Sequence, residues 1–351
     1  MKKSIILYFI IGAEAVIITL LLFQYVKNNS NDISTEVSIL DPGFRVQSTE
    51  PALTASETVT EAITQLSEIT TVTCITTVPE TTTVPVSSTS DISDDDTSDE
   101  EKPEKIIIHD NGNTAVEYPY IDAPLNNYDF SGLVTEDRKR KMYYEDGEKK
   151  AMFGIDVSQY QGDVDWNRVR DDGVEFVIAR VGYRGYETGK LNTDKKFLEY
   201  ASGVKNAGMK LGVYYYSQAV NAAEAAEEAD FVIKMLEDNN INPDMPVVFD
   251  WEYVQDEDPA RTDGLDKDIL NECCEAFCSK VSEKGYDTLY YTNIKDALFR
   301  YDMNRLSKYG MWLAEYSATT DFIYDFKMWQ YSCSGLIDGI ESLVDLNLWF
   351  E

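Results

Sequence analysis

The chain has 351 residues, with 63 Asp and Glu against 31 Lys and Arg, and a formal net charge of −32 at pH 7. This charge argues against nucleic acid as a partner, because binding to phosphates needs a basic surface. The one histidine, His109, lies outside the regularly patterned part of the chain. Histidine-dependent catalytic triads and multi-histidine metal sites are therefore not expected, and any chemistry must use carboxylates, tyrosine, lysine or arginine.

Residues 1–27 predict a short cytoplasmic tip followed by a transmembrane signal anchor. Lys2 and Lys3 precede a largely apolar run from Ser4 to Val26, which is long enough to span a bilayer as a helix. A cleaved signal peptide is the alternative, but the apolar run continues beyond the small residues that a cleavage site would use. Because positive residues favour the cytoplasmic side, we expect a single-pass cell membrane protein with a cytoplasmic N-terminus.

Residues 28–105 predict a disordered linker. Residues 51–100 contain 14 threonines, and no lysine or arginine lies between Arg45 and Lys102. Such a polar and acidic segment buries too little apolar surface to fold, and its charges repel one another. A flexible coil of about 78 residues spans roughly 50 Å, so this segment would hold a domain away from a membrane.

Residues 106–150 predict an ordered lead-in to a domain. Ile106-Ile107-Ile108 indicates a short strand. Residues 139–153 contain two strand-like runs on either side of Asp146-Gly147, a pair typical of tight hairpin turns. We expect this lead-in to pack against the domain that follows it.

Residues 151–351 predict a domain in which strands alternate with helices. Three stretches carry helix-capping residues and are predicted helices: Asp194–Ala207 before Gly208, Asn221–Asp238, and Asp266–Lys284 before Gly285. Eight apolar runs are predicted strands: Met152–Val157, Glu175–Val181, Lys210–Ser217, Pro246–Tyr253, Thr288–Thr292, Met311–Tyr316, Lys327–Tyr331 and Leu343–Trp349.

This alternation of strands and helices predicts the α/β class. Apolar strands separated by helices indicate a parallel sheet, because both faces of such a sheet are covered. Eight strands within about 200 residues fit a closed TIM-like (β/α) barrel at the small end of its size range. The later crossovers are short, so we expect fewer than eight full helices.

Acidic residues collect where the predicted strands end, which is where α/β barrels place their active sites. Asp250 and Glu252 stand two residues apart in one strand, so their side chains share a face. Two carboxylates after a buried apolar strand are costly unless they have a task, which favours acid–base chemistry. Asp156 and Asp345 lie at the ends of the first and last strands, which become neighbours when a barrel closes.

Aromatic and amide residues at the same strand ends are candidates for substrate binding: Tyr214, Tyr216, Tyr291, Trp312 and Gln330. Rings that stack on sugar faces, together with carboxyl groups that act on the glycosidic oxygen, are the lining expected of a carbohydrate groove. Structural roles stay open for each residue, since a lone Asp can cap a helix and the tyrosines or Gln330 could fill the barrel core.

The stretch from about residue 152 to 351 resembles glycoside hydrolase family 25, the lysozyme-like N-acetylmuramidases. The matching pieces occur in family order: Phe153–Ser158 with Gln161-Gly162, Gly212–Tyr216, Asp250-Trp251-Glu252, Met311–Tyr316, Trp329–Ser332 and Val344–Asn347. The resemblance implies a flattened barrel that cleaves the β-1,4 bond between N-acetylmuramic acid and N-acetylglucosamine. It also implies Glu252 as the proton donor with Asp250 assisting, and it matches Asp156 and Asp345 to the family's other acidic positions. One departure is Tyr215-Tyr216, where the family often has His-Phe.

This interpretation predicts an extracellular glycoside hydrolase domain that acts on the glycan strands of peptidoglycan, is tethered to the membrane by its N-terminal helix, and needs no cofactor or metal. A non-catalytic cell-wall-binding module is the alternative from another class. A chitinase-like glycosidase is a second alternative, although its signature is broken here at Pro246 and Val248. A divalent cation held by the acidic residues is a third, but no loop of oxygen ligands accompanies them.

Overall fold

The structure is a computed structural model that describes residues 102–110, 114–136, 140–254 and 260–350. The predicted transmembrane anchor and the predicted linker up to residue 101 lie outside these residues. Within the described ranges, no helix is both long and apolar enough to cross a membrane. The described residues from Lys102 onward form one compact unit.

The described part of the chain contains strands β1 Lys105–Asp110, β2 Thr114–Pro119, β3 Leu133–Thr135, β4 Lys141–Glu145, β5 Glu148–Lys149, β6 Ala151–Val157, β7 Phe176–Arg184, β8 Leu191–Thr193, β9 Lys210–Ser217, β10 Val247–Trp251, β11 Thr288–Asn293, β12 Met311–Ala314, β13 Met328–Gly335 and β14 Val344–Phe350. Its α-helices are α1 Trp166–Asp171, α2 Phe197–Ala207, α3 Ala222–Asp238, α4 Lys267–Glu283, α5 Ile294–Phe299 and α6 Met303–Leu306. Short 3₁₀ turns cover Phe130–Gly132 and Gln159–Gln161.

Eight of these strands close into a barrel. Going round it, the order is β6, β14, β13, β12, β11, β10, β9 and β7, and the pairing of β6 with β7 closes the ring. The prediction of a closed eight-stranded α/β barrel is confirmed, and all eight predicted strands are present. β8, which the sequence did not predict, extends the edge of β7 as a short antiparallel strand.

The direction of the last strand differs from the prediction. β6, β7 and β9 to β13 are parallel, but β14 runs antiparallel to both β13 and β6. The expectation of a parallel sheet is therefore wrong for β14. The physical reason is the connection of residues 336–343, because a parallel crossover needs about a dozen residues or more.

The three predicted helices are present as α2, α3 and α4. The side chain of Asn221 accepts a hydrogen bond from the backbone N–H of Glu224 and caps α3, as expected of an Asn at a helix start. Gly208 ends α2 with a φ of 82°, which favours glycine. The shorter helices α1, α5 and α6 were not predicted, and no helix lies between β12 and β14.

The lead-in covers the side of the barrel that has no helices. Tyr128 and Tyr143 pack on Phe350 of β14, with ring centroids 4.4 and 5.1 Å apart. Phe130 meets Trp329 of β13 edge-on at 6.2 Å. These rings take the place of the missing crossover helices, and β4 and β5 are joined by a tight turn in which Asp146 and Gly147 both have positive φ.

Tyr143→Ala tests whether the lead-in stabilises the barrel. Tyr143 is almost fully buried, and its hydroxyl accepts a hydrogen bond from the backbone N–H of Asp129. Removing a buried ring of this size should lower the free energy of unfolding by ~3–5 kcal/mol. Urea unfolding followed by tryptophan fluorescence measures the loss. The neighbouring Tyr144→Ala, on the other face of β4, should cost about 1 kcal/mol or less; equal losses would contradict the packing role.

Candidate active site

The four predicted acidic residues lie at one rim of the barrel. Asp156 on β6 and Asp250 on β10 are near the carboxyl ends of their strands, and Glu252 follows the end of β10. Asp345 lies near the start of β14, not near its end as the sequence predicted, and it reaches the same rim because β14 is antiparallel. Asp345 pairs directly across the sheet with Asp156. Like charges in directly opposed positions are unfavourable, so this pairing needs compensation.

Asp156 receives two hydrogen bonds that compensate its burial. The side-chain amides of Gln330 and Asn347 both donate to its Oδ2, at 2.9 and 2.8 Å. All three side chains are buried. Donors aimed at one carboxylate oxygen favour the ionised form and hold the group in place.

Three aromatic side chains orient those two amides. The hydroxyls of Tyr291 and Tyr316 donate to Oε1 of Gln330 at 2.8 and 3.0 Å. The indole N–H of Trp312 donates to Oδ1 of Asn347 at 2.9 Å. Each amide oxygen is thus occupied, so each amide nitrogen must face Asp156. Tyr316 and Asn347 were not predicted as site residues, although both lie within the motifs that carry the family resemblance.

The predicted binding residues divide into two groups by exposure. Tyr291, Trp312 and Gln330 are buried, and the polar atoms of these side chains are engaged within the site. Tyr214 and Tyr216 of β9 are half-buried. The ring of Tyr214 stands edge-on to Trp312 with centroids 6.3 Å apart. The structure therefore brings all five to one rim and leaves the two β9 tyrosines the more accessible.

Asp250 and Glu252 differ in their surroundings. Asp250 is in register with Tyr216 of β9 and Tyr291 of β11, and it is buried. Glu252 is half-buried and lies one residue beyond the last strand residue, Trp251. The carboxyl group at Asp250 is therefore enclosed by the barrel wall, whereas that of Glu252 is nearer to solvent.

All four carboxyl groups have raised pKa values. Burial raises the pKa of Asp156 to about 6 and that of Glu252 to about 7. Burial also raises the pKa of Asp250 well above its ordinary value, and the charges of Glu252 and Asp156 raise it further. Burial raises the pKa of Asp345 well above its ordinary value, and the charges of Asp156 and Glu252 raise it further. Near neutral pH such a group of acids retains protons, which is what a general acid requires.

A buried arginine that was not predicted from the sequence contributes to the electrostatics of the rim. Arg180 of β7 lies with its Nε 2.8 Å from Oδ2 of Asp194, and its positive charge lowers the pKa of Asp250. Its guanidinium also lies over the rings of Tyr160 and Tyr183, at 5.2 and 5.4 Å from their centroids. The available signal was a cation inside an otherwise apolar strand, because a buried charge requires a partner.

A groove of about 830 Å³ lies away from the four carboxyl groups and contains none of the predicted site residues. It is lined by Asp163–Arg168, by Gly203, Asn206 and Ala207 of α2, and by Ile337–Glu341. Among the described residues, no group of three or more His, Cys, Asp or Glu side chains is arranged to hold a metal ion. The candidate site is thus defined by its carboxyl groups, not by this groove.

Comparisons with known proteins point to one family. Residues 155–340, more than half of the chain, match the profile of glycosyl hydrolases family 25. The autolytic lysozyme of Clostridium acetobutylicum is 29% identical over 202 residues, which cover 57% of this chain and 56% of that protein. Lysozyme M1 of Streptomyces globisporus is 23% identical over 208 residues, covering 55% of this chain and 66% of that protein. The chain thus matches less than two thirds of the length of each relative.

One solved structure is similar in both fold and sequence. It is the modular autolysin LytC from Streptococcus pneumoniae, in complex with a synthetic peptidoglycan ligand. The TM-score is 0.52 with 26% sequence identity, and the match covers 62% of this chain and 52% of that one. The barrel described here therefore has the fold of part of that larger enzyme.

Asp156→Asn tests the raised pKa of Asp156 through the pH dependence of stability. Because its pKa is about 6 in the folded chain and near 3.8 when unfolded, the folded state binds the extra proton between these values. The contribution of Asp156 to the free energy of unfolding is therefore fully present below about pH 4. It is lost as the pH rises through about 6. Between pH 4 and pH 8, the free energy of unfolding of the variant should therefore rise by up to about 3 kcal/mol relative to that of the original chain.

Urea unfolding at the two pH values measures this gain. Asp163→Asn is the control, because Asp163 is exposed and its hydrogen bond with Lys196 lowers its pKa. That variant should show a smaller change of the opposite sign. An Asp156→Asn difference that is the same at both pH values would contradict the raised pKa.

Proposed function

Since the chain belongs to glycosyl hydrolases family 25, we propose that this glycoside hydrolase cleaves peptidoglycan at the β-1,4 bond between N-acetylmuramic acid and N-acetylglucosamine. The observation that carries the proposal is the group of four carboxyls at one rim, with pKa values raised by burial. The names of the relatives, an autolytic lysozyme and a lysozyme, support the same substrate. A peptidoglycan ligand was also bound to the pneumococcal autolysin.

Glu252 is the general acid in this proposal. Its pKa of about 7 keeps a large fraction protonated at neutral pH, and it is the more accessible member of its pair. It donates its proton to the glycosidic oxygen while the bond from that oxygen to the anomeric carbon breaks. Glu252, now ionised, then takes a proton from the water that attacks the anomeric carbon. One carboxyl thus serves as acid and then as base.

Asp250 assists by stabilising positive charge that develops at the anomeric carbon. In one route the 2-acetamido carbonyl oxygen of the substrate attacks the anomeric carbon, and Asp250 orients the acetamido group. In the other route Asp250 attacks the carbon itself and forms a covalent intermediate. The deep burial of Asp250 and its enclosure between Tyr216 and Tyr291 favour the assisting role.

Tyr214 and Tyr216 contact the glycan directly in our proposal, because their rings are only half-buried whereas those of Tyr291 and Trp312 are buried. Tyr291, Trp312 and Gln330 act instead by holding Asp156 in place: Gln330 donates to it directly, Tyr291 orients Gln330, and Trp312 orients the second donor, Asn347. The hydrogen bond from Gln330 to Asp156 connects this buried group to the carboxyl groups of the rim.

We propose that the domain works outside a membrane to which residues 1–27 anchor it. With a net charge of −32, the chain should be repelled by anionic polymers of a bacterial wall at low salt. A tether compensates for this repulsion by raising the local concentration of the enzyme at the wall. The tether and the acidic composition are thus compatible in one cell-surface enzyme.

Glu252→Gln tests the general acid. The substitution keeps the size of the side chain and removes the transferable proton, so the rate of peptidoglycan cleavage should fall at least ~10²-fold. Loss of turbidity of purified walls measures the rate. Glu283→Gln, at an exposed position of α4, is the matched control and should cleave at the original rate.

Three different results would each contradict a different part of the proposal. Mass analysis of digested peptidoglycan should find muramic acid at the new reducing ends; glucosamine there would overturn the proposed bond. Wall binding without any clearing by the original chain would favour a non-catalytic binding module. Cleavage by Glu252→Gln at nearly the original rate would remove Glu252 from the role of acid.

Deleting residues 1–101 tests the tether, and it leaves β1 intact because that strand begins at Lys105. The shortened chain should digest purified peptidoglycan as fast as the full chain. On intact cells that produce each form, its effect on the wall should be weaker, since the enzyme is no longer held at the surface. Muropeptide release measures both. Equal release from intact cells would remove the argument for a tether.

A further inference from the structure

A buried glutamine next to the rim contacts the backbone of Glu252. Gln218 directly follows β9 and is fully buried. Its Nε2 donates to the carbonyl oxygen of Glu252 at 2.8 Å and to that of Ser217 at 2.9 Å. Its Oε1 accepts a hydrogen bond from the hydroxyl of Thr262 at 2.8 Å. Every polar atom of this side chain is therefore used.

The hydroxyl of Thr262 sets the orientation of that amide. The two carbonyl oxygens can only accept, so they require the nitrogen of Gln218. The threonine hydroxyl supplies a donor for the oxygen, and Thr262 is itself fully buried. Without this hydroxyl, Oε1 of Gln218 would be a buried acceptor with no donor, which is unfavourable. The pair therefore forms a clamp in one orientation.

The clamp is fixed to α3. Ser217 donates from its hydroxyl to Oε2 of Glu228 at 2.6 Å, and Arg184 donates to the other oxygen of Glu228 at 2.6 Å. Arg261, the neighbour of Thr262, binds both carboxylate oxygens of Glu224 at 2.7 Å. Both glutamates belong to α3, so both sides of the clamp are held by one helix.

Glu252 needs such support because the sheet no longer holds it. The last residue of β10 in register with β9 is Trp251, which pairs with Ser217. At the next residue the chain leaves the sheet, and Gln218 supplies the hydrogen bond to the carbonyl of Glu252. Small displacements of a catalytic group can cost large factors in rate.

We propose that Gln218, oriented by Thr262, is a positioning residue for Glu252. By fixing the backbone where the chain leaves β10, the clamp keeps the carboxyl group of Glu252 beside Asp250 and partly shielded from water. The inference rests on the proposed function, in which Glu252 is the general acid. It assigns a task to two residues that lie outside the group of rim carboxyls and never contact substrate.

Thr262→Val in the full chain tests the clamp, because valine keeps the shape and removes only the hydroxyl. On soluble peptidoglycan fragments, kcat should fall about tenfold or more while KM stays within about twofold, as expected when a catalytic group is misplaced. The alkaline limb of the pH–activity profile should also move to lower pH. The reason is that a more exposed Glu252 loses part of the burial that raises its pKa.

Matched variants separate positioning from stability. Thr262→Ser keeps the hydroxyl and should restore both kcat and the alkaline limb. Thr288→Val removes another buried hydroxyl, at the start of β11 at the opposite end of the barrel, and should leave both unchanged. Gln218→Met is nearly isosteric, removes the amide itself, and should reproduce the effect of Thr262→Val. Circular dichroism gives the folded fraction by which each rate is normalised.

The outcomes distinguish this inference from the proposed function. If the original chain releases no fragments, the proposed function fails. If it does release fragments, unchanged kcat and an unmoved alkaline limb in Thr262→Val or Gln218→Met overturn the clamp. Equal losses in Thr262→Ser or Thr288→Val would also overturn it, because they would show a general effect on folding.

Discussion

The short connection between β13 and β14 is the constraint on which the rest of the barrel depends. Residues 336–343 are too few for a parallel crossover, so β14 must return antiparallel. It then starts at the rim where the parallel strands end, which places Asp345 opposite Asp156. The same connection adds no helix, so the outer faces of β13 and β14 need another cover. A single connection thus affects both the site and the outer packing.

The lead-in covers the outer faces of β13 and β14. Its rings Tyr128, Phe130 and Tyr143 pack on Trp329 and Phe350, where a regular barrel has helices. The match to glycosyl hydrolases family 25 begins only at residue 155, yet these contacts begin well before it. The folded unit is therefore larger than the family match, and the described part of the lead-in belongs to it because its rings cover the barrel.

Burying several carboxyl groups close together is energetically unfavourable. The surrounding groups reduce this unfavourable free energy but do not remove it. Gln330 and Asn347 donate to Asp156, and Arg180 lowers the pKa of Asp250. The pKa of Asp156 still stays near 6, because burial outweighs the two donors. A fully compensated site would hold ionised carboxylates and no transferable proton, so incomplete compensation suits acid catalysis.

Local patterns in the sequence determined the eight strands, the three long helices, and the pair Asp250 and Glu252, because a period of two or 3.6 residues depends only on neighbours in the chain. Only the tertiary structure decided the direction of β14, the partners of Asp156, and the clamp at Gln218. Asp156 lies 174 residues from Gln330, and Gln218 lies 44 residues from Thr262. Such contacts depend on how the strands align when the barrel closes. The periodicity of a single segment does not determine that alignment.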